Sequence, residues 1–148
     1  MSALDVSVRA EILHRLQDLR EGMGVTILFI GYDLRVARAF CDQATVMDWS
    51  KLVEVTPAEA LFRASGHPYK EVLLFAVAEP HPHLRGQKRR AVLQGEVPDP
   101  PARPPGCVFR PRCPAVFDRC RNDLPALTAL GDGRAAACWR HEVVRSAA

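Results

Sequence analysis

The run VTILFI at residues 25–30, which Gly31 follows, decides the fold class that the sequence predicts. Four of its six residues are β-branched, and all but Thr26 are apolar. A continuous apolar run of this length is typical of a strand that is buried on both faces, as strands are in a parallel sheet. Because helices cover the faces of parallel sheets, the run predicts an α/β fold.

Helical patterns lie on both sides of the predicted strand. Residues 6–21 carry an apolar stripe at helical spacing, with Asp5 as the N-cap and Gly22 after the last turn. The stripe consists of Ile12, Leu13, Leu16 and Leu19. A second, shorter helix is predicted for residues 34–40. A parallel sheet needs neighbouring strands that this chain does not supply, so the first half is interpreted as one edge of a larger α/β domain.

Further elements follow the second predicted helix. Two short runs at residues 44–47 and 52–55 predict a β-hairpin that turns around Ser50. Pro57 is predicted to begin a short helix, because proline is tolerated in the first helical turn. Another helix is predicted for residues 68–77. These elements all belong to the first half of the chain.

The composition changes after this point. Seven of the twelve prolines lie between residues 78 and 105, which predicts an extended and mostly irregular connector. Residues 106–148 carry four of the five cysteines and show little periodicity, which predicts an irregular cysteine-rich tail. We therefore divide the chain into residues 1–77, the connector 78–105 and the tail 106–148.

Composition and charge exclude several classes of protein. With 25% charged and 48% hydrophobic residues in 148, the chain is expected to be a soluble globular protein without a transmembrane segment or secretory signal. The first 78 residues carry a net charge of −2 and the remainder +5. Aromatic stacking repeats are missing, so no nucleic-acid partner is expected. The arginines of the basic half alternate with the cysteines, where they could offset thiolate charge.

Several short motifs follow one another along the chain. The first is SALD, at Ser2, Ala3, Leu4 and Asp5, and the predicted strand leads into IGYDL at residues 30–34. Others lie at residues 47–54, 67–69 and 93–98, ahead of the tail cysteines. The combination resembles the end of an ABC transporter ATP-binding subunit, with SALD as the D-loop and Tyr32 at the switch-histidine position of the H-loop. The later motifs resemble importers of oligopeptides, dipeptides or nickel.

The resemblance implies a fold and a function. The fold is the C-terminal portion of a P-loop NTPase-type ABC ATP-binding domain, followed by the cysteine-rich tail. Members of the family use ATP with Mg²⁺ to drive transmembrane peptide transport, together with a second ATP-binding subunit and membrane permease subunits. The implied location is cytoplasmic, peripheral on the inner face of the cell membrane. Asp5 would lie at the interface of the two ATP-binding subunits.

The motifs that hold ATP in this family are absent from the sequence. There is no G-x-x-x-x-G-K-[ST] loop to cradle phosphates, and no signature motif, Q-loop or Walker B pair. We therefore expect a truncated subunit that is inactive as an ATPase by itself. Tyr32 is a poor proton acceptor at pH 7. This indicates either sequence drift in a chain without catalytic constraint, or a slow nucleotide site in a heterodimer whose other subunit carries the active residues. Ser50 and Thr56 stand where the family usually has turn glycines, which also indicates drift.

The tail cysteines form a candidate metal site. Cys107, Cys113, Cys120 and Cys138 have the spacing C-x5-C-x6-C-x17-C. Thiolates suit zinc or an iron–sulfur cluster, and clustered cysteines without an export signal indicate metal chemistry rather than disulfides. The resemblance favours a [4Fe–4S] cluster with a structural or regulatory role, and zinc or four free thiols are the alternatives. Cys41 is predicted to be a small buried residue outside this group.

The remaining expectations concern two histidines and two other functions. His67 is predicted to pack or cap locally, and His141 to lie at the surface. Besides a truncated ATP-binding subunit, the sequence is compatible with a stand-alone metal-cluster or interaction module and with a non-functional remnant.

Overall fold

The computed structural model describes residues 6–76 and 105–142. Helix α1, Val6–Met23, ends where Gly24 takes a left-handed conformation, with φ +65°, and closes the last turn. Helix α2, Leu34–Phe40, begins at Asp33, whose Oδ1 accepts the backbone N–H of Arg35 at 3.0 Å. Both helices confirm the predictions from helical spacing.

Residues 25–30 do not form the predicted strand. They lie between α1 and α2 without regular secondary structure, and the side chains of Leu28 and Ile30 are 87% and 85% exposed. A strand depends on hydrogen bonds to its neighbours, and the sheet in the described residues does not include this run. The predicted parallel strand is therefore wrong for this structure, whose sheet is antiparallel.

The predicted hairpin is present. It consists of strands β1, Gln43–Asp48, and β2, Lys51–Pro57. The turn residues Trp49 and Ser50 have φ values of +50° and +57°, as a type I′ turn requires at both positions. Ser50 thus lies at a turn position that favours glycine, as predicted.

Thr56 corrects a second expectation. It lies within β2 opposite Ala44, its side chain is fully buried, and it is not among the described residues with positive φ. The expectation that Thr56 stands at a turn position is therefore wrong, and β-branched residues are favoured in strands.

Two strands from the cysteine-rich half complete the sheet. Strands β3, Thr128–Gly131, and β4, Arg134–Ala136, give a four-stranded antiparallel sheet in the order β1-β2-β4-β3. Strand β4 pairs with β2, placing Glu54 opposite Ala136. The tail is thus more regular than predicted, since strands of four and three residues are too short to give an alternation signal. The limits of the connector stay a prediction, because residues 77–104 lie outside the described part of the chain.

Short helical pieces complete the structure. A 3-10 turn at Ala58–Ala60 is shorter than the helix predicted to begin at Pro57. Helix α3, Pro68–Ala76, has proline at its first position, as predicted. The cysteine segment contains a 3-10 turn at Arg110–Arg112 and the one-turn helix α4, Arg119–Asn122.

The core lies where β2, β4, the start of α3 and the cysteine segment meet. Its largest fully buried side chains are Lys70, Phe109, Leu61, His67, Glu54 and Thr56. Half of this set is ionisable, so polar contacts organise the core together with apolar ones. None of the described helices combines the length and the apolar character that a membrane crossing needs.

Candidate functional site

The predicted nucleotide-site positions are not part of a formed site in the described residues. Ser2, Ala3, Leu4 and Asp5 lie outside the described part of the chain. Tyr32 lies in the loop before α2, and its side chain is 100% exposed. No packing therefore fixes the orientation of Tyr32, and the D-loop and switch assignments stay predictions.

The four tail cysteines lie in one region. Cys107 and Cys120 are buried beside Phe109, and Cys113 packs against them. The backbone N–H of Cys107 donates to the carbonyl of Cys120 at 2.9 Å, which joins their two loops. Cys138 lies near enough to interact electrostatically with the other three thiols. The structure thus brings together the cysteines that the sequence singled out.

Gly106 permits this close approach. Its φ is +71°, and a Cβ there would lie 2.5 Å from the carbonyl oxygen of Cys120 and 2.8 Å from that of Arg121. The obstacle is backbone rather than a flexible side chain, so it cannot move aside easily. Glycine therefore lets the loop before Cys107 close onto α4.

Three of the four sulfurs accept backbone N–H groups from residues two positions further along the chain. Phe109 donates to Cys107, Ala115 to Cys113 and Arg140 to Cys138. Hydrogen bonds to sulfur favour the thiolate and tune the properties of bound clusters. These loops are therefore shaped to hold negative charge on sulfur.

The thiols of Cys107, Cys113 and Cys138 nevertheless favour the protonated form at neutral pH. Burial raises the pKa of Cys107 and Cys138, and it raises the pKa of Cys113 to about 11. Burial thus outweighs the N–H donors, and a bound cation would be needed to stabilise thiolates. No group of three or more His, Cys, Asp or Glu in residues 6–76 and 105–142 is placed to hold a metal ion. In these residues the four cysteines therefore do not form a finished site for either predicted metal group, the [4Fe–4S] cluster or zinc.

The arginines between the cysteines have other partners. Arg110 donates to the carbonyl of Arg121, Arg119 pairs with Glu142 and Asp123, and Arg121 pairs with Asp118. The arginine that lowers the pKa of Cys138 is Arg140, which follows the last cysteine. The predicted compensation by the interleaved arginines is not found at Cys107, Cys113 or Cys138.

Arg112 ties the cysteine segment to the hairpin. Its Nη2 donates to both carboxylate oxygens of Asp48, at 2.8 and 2.9 Å, and the two side chains are 7% and 5% exposed. The guanidinium also lies over the rings of Tyr69 and Phe109. A desolvated pair with charge-assisted hydrogen bonds holds its two elements in register, even where its net stabilisation is small.

A second buried pair joins β2 to α3. Lys70 Nζ lies 2.7 Å from Glu54 Oε1, and the side chains are 0% and 1% exposed. Glu54 Oε2 accepts the N–H groups of Gly66 and His67 at 2.9 and 2.7 Å, while Lys70 also donates to the carbonyl of Ala64 at 2.6 Å. The network fixes the loop that precedes α3.

The two histidines lie beside this loop. His67 Nδ1 accepts the N–H of Tyr69 at 3.1 Å and the ring packs against Phe109, so the predicted packing and capping role is confirmed. Burial lowers the pKa of His67 to about 4, which keeps the ring neutral at pH 7. His141, predicted to lie at the surface, is half-buried instead, with Nε2 2.6 Å from the carbonyl oxygen of Gly66.

Comparisons with known proteins agree with the motifs. The family described as "Oligopeptide/dipeptide transporter, C-terminal region" matches residues 53–120. The "Probable peptide ABC transporter ATP-binding protein y4tS" of Sinorhizobium fredii is 44% identical over 138 residues, covering 93% of this chain and 38% of that protein. The dipeptide transport ATP-binding protein DppF of Haemophilus influenzae is 39% identical over 139 residues, covering 94% of this chain and 42% of that protein.

The extent of these matches matters as much as their identity. The chain spans about two fifths of the length of these relatives, while nearly all of its own length is matched. The family match includes most of β2, all of α3 and the first three tail cysteines. The resemblance inferred from the motifs is thereby confirmed: residues 53–120 match the C-terminal region of oligopeptide/dipeptide transporters, and nearly the whole chain is similar to proteins named as ATP-binding proteins of peptide ABC transporters.

Proposed function

We propose that this chain acts as part of the ATP-binding subunit of an ABC importer for peptides. The observation that carries the proposal is homology along 93% and 94% of the chain to proteins named for ATP binding in peptide transport. The sequence has no phosphate-cradling loop, so ATP and Mg²⁺ would be held mainly by another part of the complete subunit. Tyr32 would then lie at the switch position beside the γ-phosphate.

The proposed partners are a second ATP-binding subunit and membrane permease subunits. The proposed location is cytoplasmic, peripheral on the inner face of the cell membrane. Ser2, Ala3, Leu4 and Asp5 would contact the second ATP-binding subunit as the D-loop. The exposed apolar side chains of residues 25–30 support a place within a larger assembly, because such a surface favours a covering partner.

A chimera tests this proposal. The 148 residues are fused to the C-terminus of the segment of Haemophilus influenzae DppF that does not align with them. ATP hydrolysis is then measured with the purified chimera. We expect hydrolysis, and we expect Tyr32→His to raise kcat by about tenfold or more, because histidine can exchange a proton near neutral pH.

Arg63→His is the control, since Arg63 is exposed and lies outside every predicted nucleotide motif. It should leave kcat unchanged. A folded chimera without ATP hydrolysis would contradict the proposed function, and an unchanged kcat in Tyr32→His would contradict the switch position.

We further propose that Cys107, Cys113, Cys120 and Cys138 hold a [4Fe–4S] cluster in the complete subunit. Support comes from their common region and from the N–H groups that point at three of the sulfurs. In this role the cluster would brace the cysteine loops.

Anaerobic reconstitution with ferrous iron and sulfide tests the cluster. The full chain is expected to gain visible absorption, and Cys113→Ser is expected to lose most of it. Cys41→Ser is the matched control, because Cys41 lies at the end of α2 outside the cysteine region, and it should keep the absorption. A colourless protein that binds zinc tightly would contradict the proposal.

A stand-alone interaction module is the second candidate. It is favoured by the pairing of β2 with β4, which joins both halves of the chain in one sheet. A module of this kind would bind permease subunits without nucleotide and without any other ATP-binding subunit. A pull-down with purified permease in the absence of ATP separates the two candidates.

A further inference from the structure

A cavity of about 180 Å³ lies between the hairpin and the cysteine segment. Val53, Val108 and Ala137 form buried walls, and the exposed side chains of Leu52, Leu124 and Leu127 line it as well. An apolar cavity of about 150 Å³ is known to hold a benzene molecule. This cavity therefore has room for an apolar group of similar size, and the exposed leucines continue its apolar surface outward.

His67 contributes a hydrogen-bond donor to the cavity. Because Nδ1 accepts the N–H of Tyr69, the ring proton belongs on Nε2. Nε2 has no hydrogen-bond partner in the described part of the chain. It is also not one of the atoms there that are fully buried and lack a partner, so it keeps some accessible surface. The side chain is 2% exposed and lines the cavity, and from this we infer that the Nε2–H faces the cavity.

Lys51 adds a positive charge to the same cavity. It is exposed and lines the cavity, and it pairs with no acidic side chain among residues 6–76 and 105–142. Cys107 also lines the cavity, but its sulfur already accepts the N–H groups of Phe109 and Arg110. An N–H donor in the wall and an ammonium group near the opening complement a carboxylate.

We propose that this cavity binds a small carboxylate that carries a branched apolar group. The apolar group packs against Val53, Val108 and Ala137, and the carboxylate accepts the Nε2–H of His67 and faces Lys51. A free branched-chain carboxylic acid and the C-terminal leucine of a short peptide both present this chemistry. The inference does not rest on the proposed ATP-binding role, since no nucleotide-binding group takes part, and it shares with the proposed cluster only Cys107, which lines the cavity.

Titration of the ¹⁵N-labelled full chain, followed by NMR, tests the site. With 4-methylpentanoate we expect saturable shifts of the His67 Nε2–H and of the amides of Val108 and Ala137, with a dissociation constant of about 1 mM. The uncharged 4-methylpentan-1-ol should bind about fivefold more weakly, and acetate should give no saturable shift. Saturable shifts with the dipeptide Gly-Leu would assign the site to peptide C-termini, and their absence would assign it to free acids.

Two exposed residues provide the variants. Lys51→Gln should weaken 4-methylpentanoate binding about fivefold and leave the alcohol unaffected. Arg63→Gln removes an exposed charge outside the cavity and should change neither. The proposal is overturned if neither carboxylate shifts His67 saturably, or if Arg63→Gln weakens binding as much as Lys51→Gln does.

Discussion

Two ion pairs occupy positions where a core usually has apolar side chains. Glu54 with Lys70, and Asp48 with Arg112, are almost fully buried. The partners lie 16 and 64 residues apart in the chain, so no local pattern links them. A lysine or an arginine is rarely buried, and the residues next to Lys70 and Arg112 in the sequence do not indicate that these two are. His67, which is followed directly by Pro68, had a local context, and its capping role could be predicted.

Lys70→Met tests the buried network. It leaves the Glu54 carboxylate buried without its cation, so the free energy of unfolding of the full chain should fall by about 3–5 kcal/mol. The double variant Glu54→Gln with Lys70→Met should lose less, because no charge is left buried. Urea unfolding measures both.

Lys51→Met is the matched control for this prediction. Lys51 is exposed at the hairpin turn, and its replacement should change the free energy of unfolding by less than about 0.5 kcal/mol. Equal effects at Lys51 and Lys70 would show that the buried pair is not responsible.

Elements whose signals are local could be predicted, and elements that depend on neighbours could not. Helix α1 follows from its apolar spacing, α2 and α3 match the short helices predicted for residues 34–40 and 68–77, and the β1-β2 hairpin follows from its two runs and its turn. Residues 25–30 have the composition of a buried strand but no strand beside them in the described structure. Strands β3 and β4 are short and form against β2, so they depend on a contact that the local pattern does not contain.

Gly106→Ala tests the closure of the cysteine loop. The added Cβ would meet backbone atoms at 2.5–2.8 Å at a positive φ, so the full chain should lose about 1–3 kcal/mol of stability. Gly22→Ala is the matched control, because Gly22 lies inside α1 with nothing within 4 Å of the new Cβ. It should stabilise the chain by about 0.5–1 kcal/mol. Thermal unfolding compares the variants, and a neutral Gly106→Ala would contradict the close approach.

In the described part of the molecule, one sheet joins the segments that precede and follow the proline-rich stretch at residues 78–105. The pairing of β4 with β2, the Asp48–Arg112 pair and the His141–Gly66 contact all cross from the second half of the chain to the first. The cysteine region, the buried pairs and the cavity are therefore parts of one packed core. Conditions that weaken this core should affect all of them together.

The pH dependence of the free energy of unfolding tests whether His67 is buried in this core. The pKa of His67 is about 4 in the folded chain, against an ordinary value of 6.5. Between these values the unfolded state binds more protons, so the free energy of unfolding should fall as the pH is lowered through this window, by about 3 kcal/mol in all. Above pH 6.5 this contribution is fully present.

Two histidine variants separate the source of this effect. His67→Asn keeps a side-chain acceptor for the N–H of Tyr69 but cannot titrate, so it should flatten the pH dependence between 4 and 6.5. His14→Asn, at an exposed position of α1, should leave it unchanged. Urea unfolding at a series of pH values measures the slope, and an unchanged slope in His67→Asn would contradict the assignment.

The sequence by itself determined three kinds of feature: helices with local spacing, the hairpin turn at Ser50, and the family relationship carried by ordered motifs from SALD to the cysteines. It also singled out the four cysteines that the structure brings together. Only the tertiary structure decided that residues 25–30 stay unpaired, that β4 adds to β2, and that Glu54, Lys70 and His67 are buried beside a cavity. The physical reason is range, because spacing and turns act within a few residues, whereas strand pairing, ion-pair burial and cavities depend on contacts between distant parts of the chain.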